Sequence, residues 1–231
     1  MSDEPEVAVT ARGITMSGPW GPVYGPIDLH IAAGGVTVLV CPAGTGRTAL
    51  LMTLAGRMRP KSGTLSVFGQ ANPRRIFAAA ALAGIDDVDE VAESVTVRDA
   101  LTEQMRWDAA WYRLVRRAGT AQLRAVCGPV FGDLPLPPPT EFVEELSELD
   151  RLLLRIALAN TARPPLLVVG NLDYVTSDRN RELLLSRLIE LGRTQTVVTA
   201  TVNGVTDGAV REQIAVENTS RAELVHGRKG E

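Results

Sequence analysis

Apolar and polar positions change period along the chain, and the changes lay out its elements. Val7 to Thr15 alternates apolar and polar side chains, which predicts an edge strand. Ile27-Asp28-Leu29-His30-Ile31 alternates as cleanly and predicts a second. Residues 17–26, rich in Gly and Pro, read as a loop between them. A Gly34-Gly35 turn precedes the apolar run Val36-Thr37-Val38-Leu39-Val40, read as a buried strand, and 49–58 takes a helical period. After the Lys61-Ser62-Gly63 turn come a short strand over 64–69, an apolar strand over 78–85 and an acidic loop over 86–90. From Val97 to about Cys127 the pattern is helical, with Trp107, Trp111, Leu114 and Val115 spaced for one face. Pro135-Leu136-Pro137-Pro138-Pro139 is a rigid linker and suggests a subdomain boundary. Helix 147–161 then leads to the buried strand 166–169, and helix 178–191 to the strand 196–201. The polar stretch after Val216 is expected to fray. Strands alternating with helices imply an α/β fold: a mainly parallel sheet with helices on both faces.

Composition narrows the function classes. At 231 residues, 45% hydrophobic and 22% charged, the chain suits a globular protein with a full core. A net charge of -3 argues against a nucleic-acid partner. Two cysteines, Cys41 and Cys127, are too few for a disulfide framework and fit a cytosolic protein. The acidic start Met1-Ser2-Asp3-Glu4-Pro5-Glu6 is not a signal peptide, and no apolar run reaches the ~20 residues of a spanning helix. A membrane role is therefore expected to run through a partner.

The chemistry concentrates between the strand 36–40 and the helix after it. Cys41-Pro42-Ala43-Gly44-Thr45-Gly46-Arg47-Thr48 has the frame of a phosphate-binding loop, G-x-x-x-x-G-K-[ST]. Such a loop points backbone N–H groups at an anion from a helix N-terminus. Gly44 and Gly46 permit that path, and Thr48 keeps a hydroxyl for Mg²⁺. Cys41 stands for the first glycine and is expected to be a small buried residue. Arg47 stands for the lysine, keeping the charge but presenting a planar fork instead of a compact ammonium.

Further landmarks follow in order. Leu50-Leu51-Met52-Thr53-Leu54-Ala55-Gly56, Arg59 to Leu65, Ser94 to Leu101, Leu146-Ser147 with Arg151 to Asn160, and Pro164 to Val169 together resemble the ATP-binding subunit of an ABC transporter over nearly the whole length. The resemblance implies a P-loop NTPase core with a mainly parallel sheet, an antiparallel β edge and a small helical subdomain. It implies a nucleotide-binding domain over 1–216, the helical subdomain inserted over about 88–150, and a polar tail over 217–231. It also implies ATP and Mg²⁺ as ligands, with Gly44, Thr45, Gly46, Arg47, Thr48 and Ala49 around the phosphates and Thr48 on the metal. Trp20 or Tyr24 would stack on the adenine.

Departures from the family pattern fall on the reacting positions. Its metal-binding Asp and catalytic Glu correspond to Gly170 and Asn171, and its switch histidine to Val202. Asp173 is either a partial metal substitute or a solvated loop acid. The signature Leu-Ser-Gly-Gly-Gln reads Leu146-Ser147-Glu148-Leu149-Asp150, and Glu148 either blocks the phosphate approach or turns to solvent. Asp86 or Asp87 falls at the Gln-bearing loop and is expected in a solvated acidic stretch. The histidines, His30 and His226, are expected at the surface. No catalytic residue is assigned.

The expected function is a weakly nucleotide-binding subunit with little or no turnover. It would partner membrane-spanning transporter subunits and a second ABC subunit at the inner face of the membrane. Trp107, Trp111 and Tyr112 line either a groove for the membrane partner or the subdomain's own core. An active ATPase using Asp173 and Arg47, and a nucleotide-free interaction module, are the alternatives.

Overall fold

In the computed structural model, residues 6–19, 21–41, 44–86 and 88–216 are described. Trp20, Pro42, Ala43, Asp87, His226 and the tail 217–231 lie outside them. Two sheets stack in sequence-interleaved order. Strands β1 (Val7–Gly18), β2 (Gly21–Ala32) and β4 (Ser62–Val67) form an antiparallel sheet in the order β2-β1-β4. Strands β3 (Gly35–Val40), β5 (Ala80–Ala83), β6 (Leu166–Asn171), β7 (Thr196–Thr201) and β8 (Glu212–Ala215) form a parallel sheet ordered β5-β6-β7-β3-β8. The α/β class, the parallel sheet and the antiparallel edge follow the sequence reading.

Several boundaries differ from it. The first strand is central in its sheet, flanked by β2 and β4. Most of the Gly/Pro stretch is strand, with 17–18 ending β1 and 21–26 opening β2, and Gly25 serves close approach, since a Cβ on it would overlap the Ile14 carbonyl oxygen. The apolar run 78–85 splits into the end of helix α2 (Pro73–Ala79) and β5. The short strand β8 had no sequence signal. The predicted helix 97–127 is two, α3 (Val97–Asp108) and α4 (Thr120–Phe131). Between them the chain makes an excursion whose ends are tied. The Arg117 guanidinium meets the Asp99 carboxylate at 2.8 Å, and the Ala118 N–H donates to Thr102 Oγ1 at 2.9 Å.

Alternation along the parallel strands divides the core. Leu167 and Val169 of β6 join α3, α4, α5 (Glu148–Ala159) and α6 (Asp178–Gly192) on one face. Leu166 and Val168 join the antiparallel sheet and α1 (Thr45–Leu54) on the other. Burial on both faces explains why β6 reads as a continuous apolar run. Helix α1 packs against β2 and β6, between the sheets, and α6 packs against β3 and β7.

Candidate functional site

The carboxyl ends of β6, β7 and β3 lie side by side and form one rim, the place where open parallel sheets bind ligands. Helix α1 starts there. Gly44, its N-cap, has φ +148°, a conformation that favours glycine, and among the described residues nothing lies within 4 Å of where its Cβ would be. Gly46 and Ala49 are buried in the first turn, while Arg47 and Thr48 are half-buried. Thr45 opens the helix. Cys41, just past β3, is buried as expected, and burial pushes its thiol up to about 11, against a smaller opposing pull from the Arg47 charge. Tyr24 is excluded as an adenine platform. It is 1% exposed, and its hydroxyl donates to Thr53 Oγ1 at 2.8 Å inside the core.

Arg47 turns back across the rim. Its Nη1 meets Asp173 Oδ2 at 3.2 Å, and its side chain is only 10% exposed. Asp173 is not the solvated acid expected from the sequence. Besides Arg47, it accepts from Thr201 Oγ1 at 2.9 Å and from the Val202 N–H at 2.8 Å. One carboxylate thus joins α1, the turn after β6 and the end of β7. Its two oxygens take the cation and the backbone N–H that a phosphate group would otherwise attract. Thr201 was missed by sequence reasoning. Its signal is an alternating-strand Thr next to the switch position.

Beside this latch, the end of β6 is closed. A Cβ on Gly170 would sit 1.8 Å from the Gly84 carbonyl oxygen, and Gly84 itself has φ +70°. The contact is braced. Asp89 accepts from the Gly84 and Ile85 N–H groups, both at 2.7 Å, and Arg155 of α5 holds Asp89 at 2.7 Å and Asp86 at 3.1 Å. Burial disfavours the Arg155 charge, but these two acids hold its pKa above the usual value. Asp86, Val88 and Glu90 stay exposed, as the reading of a solvated loop expects, but Asp86 and Asp89 are held in a folded collar. Its signal was the lone arginine on the apolar face of α5. Asn171 is 6% exposed, and its Oδ1 accepts from the Asp173 N–H at 3.0 Å, capping the short turn Leu172–Tyr174.

The signature segment is equally occupied. Ser147 is the N-cap of α5, accepting from the Asp150 N–H and donating to the Asp150 carboxylate. Glu148 lies exposed at the surface but does not stand free. Both its oxygens accept from Thr176, from the N–H and from Oγ1, each at 3.0 Å. His30 is exposed as expected. Trp107, Trp111 and Tyr112 are not in a core: they are 77%, 96% and 76% exposed, Trp107 on the last turn of α3 and the other two, like Leu114, past its end at Asp108.

The donor set fits a phosphate better than a metal. Thr48 keeps one hydroxyl for Mg²⁺, but Gly170 offers no ligand and no space for one. Among the described residues, no three His, Cys, Asp or Glu side chains gather as a metal cluster.

The family model described as ABC transporter matches residues 24–170, more than half of the chain. The cytochrome c biogenesis ATP-binding export protein CcmA of Pseudomonas putida is 32% identical over 111 residues, covering 45% of this chain and 53% of its own. Nod factor export ATP-binding protein I of Paraburkholderia xenovorans is 28% identical over 200 residues, covering 85% of this chain and 63% of its own. The chain spans about half the length of the first curated relatives it matches. An ATP-binding cassette of an ABC transporter, solved in its ADP conformation, superposes with a TM-score of 0.70 at 13% identity. The superposition covers 97% of this chain and 99% of that one, a likeness of fold.

Proposed function

The chain belongs to the ABC transporter family, with the fold of its ATP-binding subunits, and from that premise we propose a degenerate member that binds nucleotide weakly and hydrolyses it little or not at all. The observation that carries this reading is Gly170. The family's metal-binding Asp is absent there, and the Gly84 carbonyl occupies the space its side chain needs. Asn171 cannot take a proton from water and is engaged with Asp173. Val202 supplies no imidazole. Losing one preorganised catalytic group commonly costs ~10²–10³ in rate, and four family positions differ here together.

Binding is a separate property from turnover. The α1 N-terminus keeps its anion-favouring geometry, with Gly44, Thr45, Gly46, Arg47, Thr48 and Ala49 as the phosphate shell and Thr48 as the one candidate Mg²⁺ ligand. ATP must displace Asp173 from Arg47 to use the cation, which makes the affinity low. The subunit would work with membrane-spanning partners and a second ABC subunit at the inner membrane face. Its helical subdomain would lie over about 88–150. No helix among the described residues is long and apolar enough to cross a membrane. The Arg47–Asp173 pair also favours a second reading, a nucleotide-free scaffold.

A thermal melt with and without Mg-ATP separates the two, with Arg47→Ala as control and phosphate release measured alongside. Ligand at ~100 times its Kd stabilises by ~2.7 kcal/mol, a rise of roughly 5–10 °C for a domain of this size. The expected result is a rise that Arg47→Ala abolishes, with phosphate release at background. No rise at millimolar ATP overturns binding in favour of the scaffold. Repeated turnovers that Arg47→Ala abolishes overturn the claim of inactivity.

A further inference from the structure

Nine large hydrophobic side chains are strongly exposed among the described residues, and four of them, Trp107, Trp111, Tyr112 and Leu114, fall within eight consecutive positions. They sit at the end of α3 and on the excursion after it. That excursion is held at its neck by Asp99–Arg117 and by Thr102–Ala118. The Trp111 and Tyr112 rings pack edge-to-face on each other, 5.8 Å apart, and stay outside the core. Arginines interleave with them. Segment 106–117 carries Arg106, Arg113, Arg116 and Arg117 against a single acid, Asp108, in a chain whose net charge is -3. Arg117 is committed to Asp99, whereas Arg106, Arg113 and Arg116 are exposed and form no ion pair among the described residues.

Amphipathic rings alternating with free arginines suit the boundary of an anionic bilayer. Trp and Tyr sit there at headgroup depth, while the guanidinium groups meet lipid phosphates. Trp111, Tyr112 and Leu114 project into solvent from the segment after α3, beyond the clefts that Trp107 lines at the helix end, and the arginines beside them give the patch the charge that an anionic headgroup layer attracts. We propose that the segment 107–116, the end of α3 and the excursion after it, docks directly on an anionic lipid surface, orienting the subunit without help from a partner chain. The neck fixes the loop's direction, and the negative remainder of the surface disfavours other orientations.

The test uses the full chain alone, without nucleotide, so that its outcome is independent of the ATP reading. Vesicles of phosphatidylcholine with and without phosphatidylglycerol are mixed with it, and co-sedimentation and tryptophan emission are recorded. Binding to the phosphatidylglycerol vesicles is expected, with a blue shift that Trp107→Ser with Trp111→Ser removes. At ~1 kcal/mol per basic residue near an anionic surface, Arg113→Glu with Arg116→Glu should weaken binding about thirtyfold or more. These side chains are exposed, and unchanged melting of each variant establishes that it folds. Equal binding to both vesicle types, or binding that the double charge reversal leaves intact, overturns the proposal. So does absence of binding to phosphatidylglycerol vesicles, the result expected if the loop serves a protein partner instead.

Discussion

Gly44 and Gly170 stand on the same rim and mean opposite things. Around Gly44 there is open space among the described residues, and the positive φ that admits only glycine cheaply turns the chain into α1, whose N-terminus favours an anion. Around Gly170 there is none. The backbone of the Gly84 turn lies where a side chain would begin. On the function proposed above, the first glycine preserves a site and the second records one that has been filled. A motif comparison scores both simply as glycine, and only the neighbours across the fold tell them apart. The rim is open at the start of α1 and packed shut at the end of β6.

The largest effect should come from reopening the closed side. Restoring the family residue with Gly170→Asp forces a Cβ into the Gly84 carbonyl, and neither backbone can yield without breaking the Asp89 collar. Backbone overlap in a packed interior, plus a buried carboxylate, is expected to cost ~3 kcal/mol or more. It should restore no ATPase activity, even beside Asn171→Glu. Urea unfolding gives the cost and phosphate release gives the activity. A variant of native stability that hydrolyses ATP would erase the distinction between the two glycines.

A smaller effect is expected from loosening the latch that spans both halves. Asp173→Asn keeps the shape but removes the charge facing Arg47. The fold should lose about 1–2 kcal/mol, as charge-assisted bonds to Arg47, Thr201 and Val202 weaken. ATP should bind about tenfold more tightly, because the phosphate no longer displaces a carboxylate. Titration calorimetry on the variant and the parent chain measures this directly. Unchanged affinity would mean that the pair is structural and does not compete with phosphate.

Much of the fold was legible because its signals are local. The apolar runs at 36–40, 166–169 and 196–201 became parallel strands, and the Gly44-to-Thr48 segment fell at a strand-to-helix turn. Errors arose where a distant partner overrides local pattern. Trp107, Trp111 and Leu114 keep helical spacing in the sequence, but α3 ends at Asp108, and the tie from Thr102 to Ala118 closes the excursion that carries Trp111 and Leu114 outside any helix. Asp89 and Asp173 looked solvated because Arg155 and Arg47, which hold them, lie 66 and 126 positions away. Substitution of the reacting positions could be read from the sequence. What filled the space left behind could not, because Gly84 and Gly170 approach only through the sheet.

The smallest expected effect reads the open half through its own thiol. Cys41 lies at the foot of the α1 loop, with its pKa pushed up to about 11, and Cys127, in the helical layer, reaches about 12. Both shifts arise from burial, which disfavours the thiolate. Between the unfolded thiol pKa of about 8.5 and these values, the unfolded chain releases protons that the native one keeps, so stability falls as pH rises. By pH 10 the loss should be of order 1–2 kcal/mol per thiol, visible as a falling melting temperature that Cys41→Ala and Cys127→Ala each reduce. The two thiols differ in one respect. Only Cys41 is pulled back by Arg47, so Arg47→Ala should raise the titration of Cys41 and leave that of Cys127 in place. Alkylation rates followed by mass spectrometry from pH 8 to 10 resolve the two sites. A shift at both, or at neither, would mean that the Arg47 charge is not felt at the foot of the loop, the place where a phosphate must feel it.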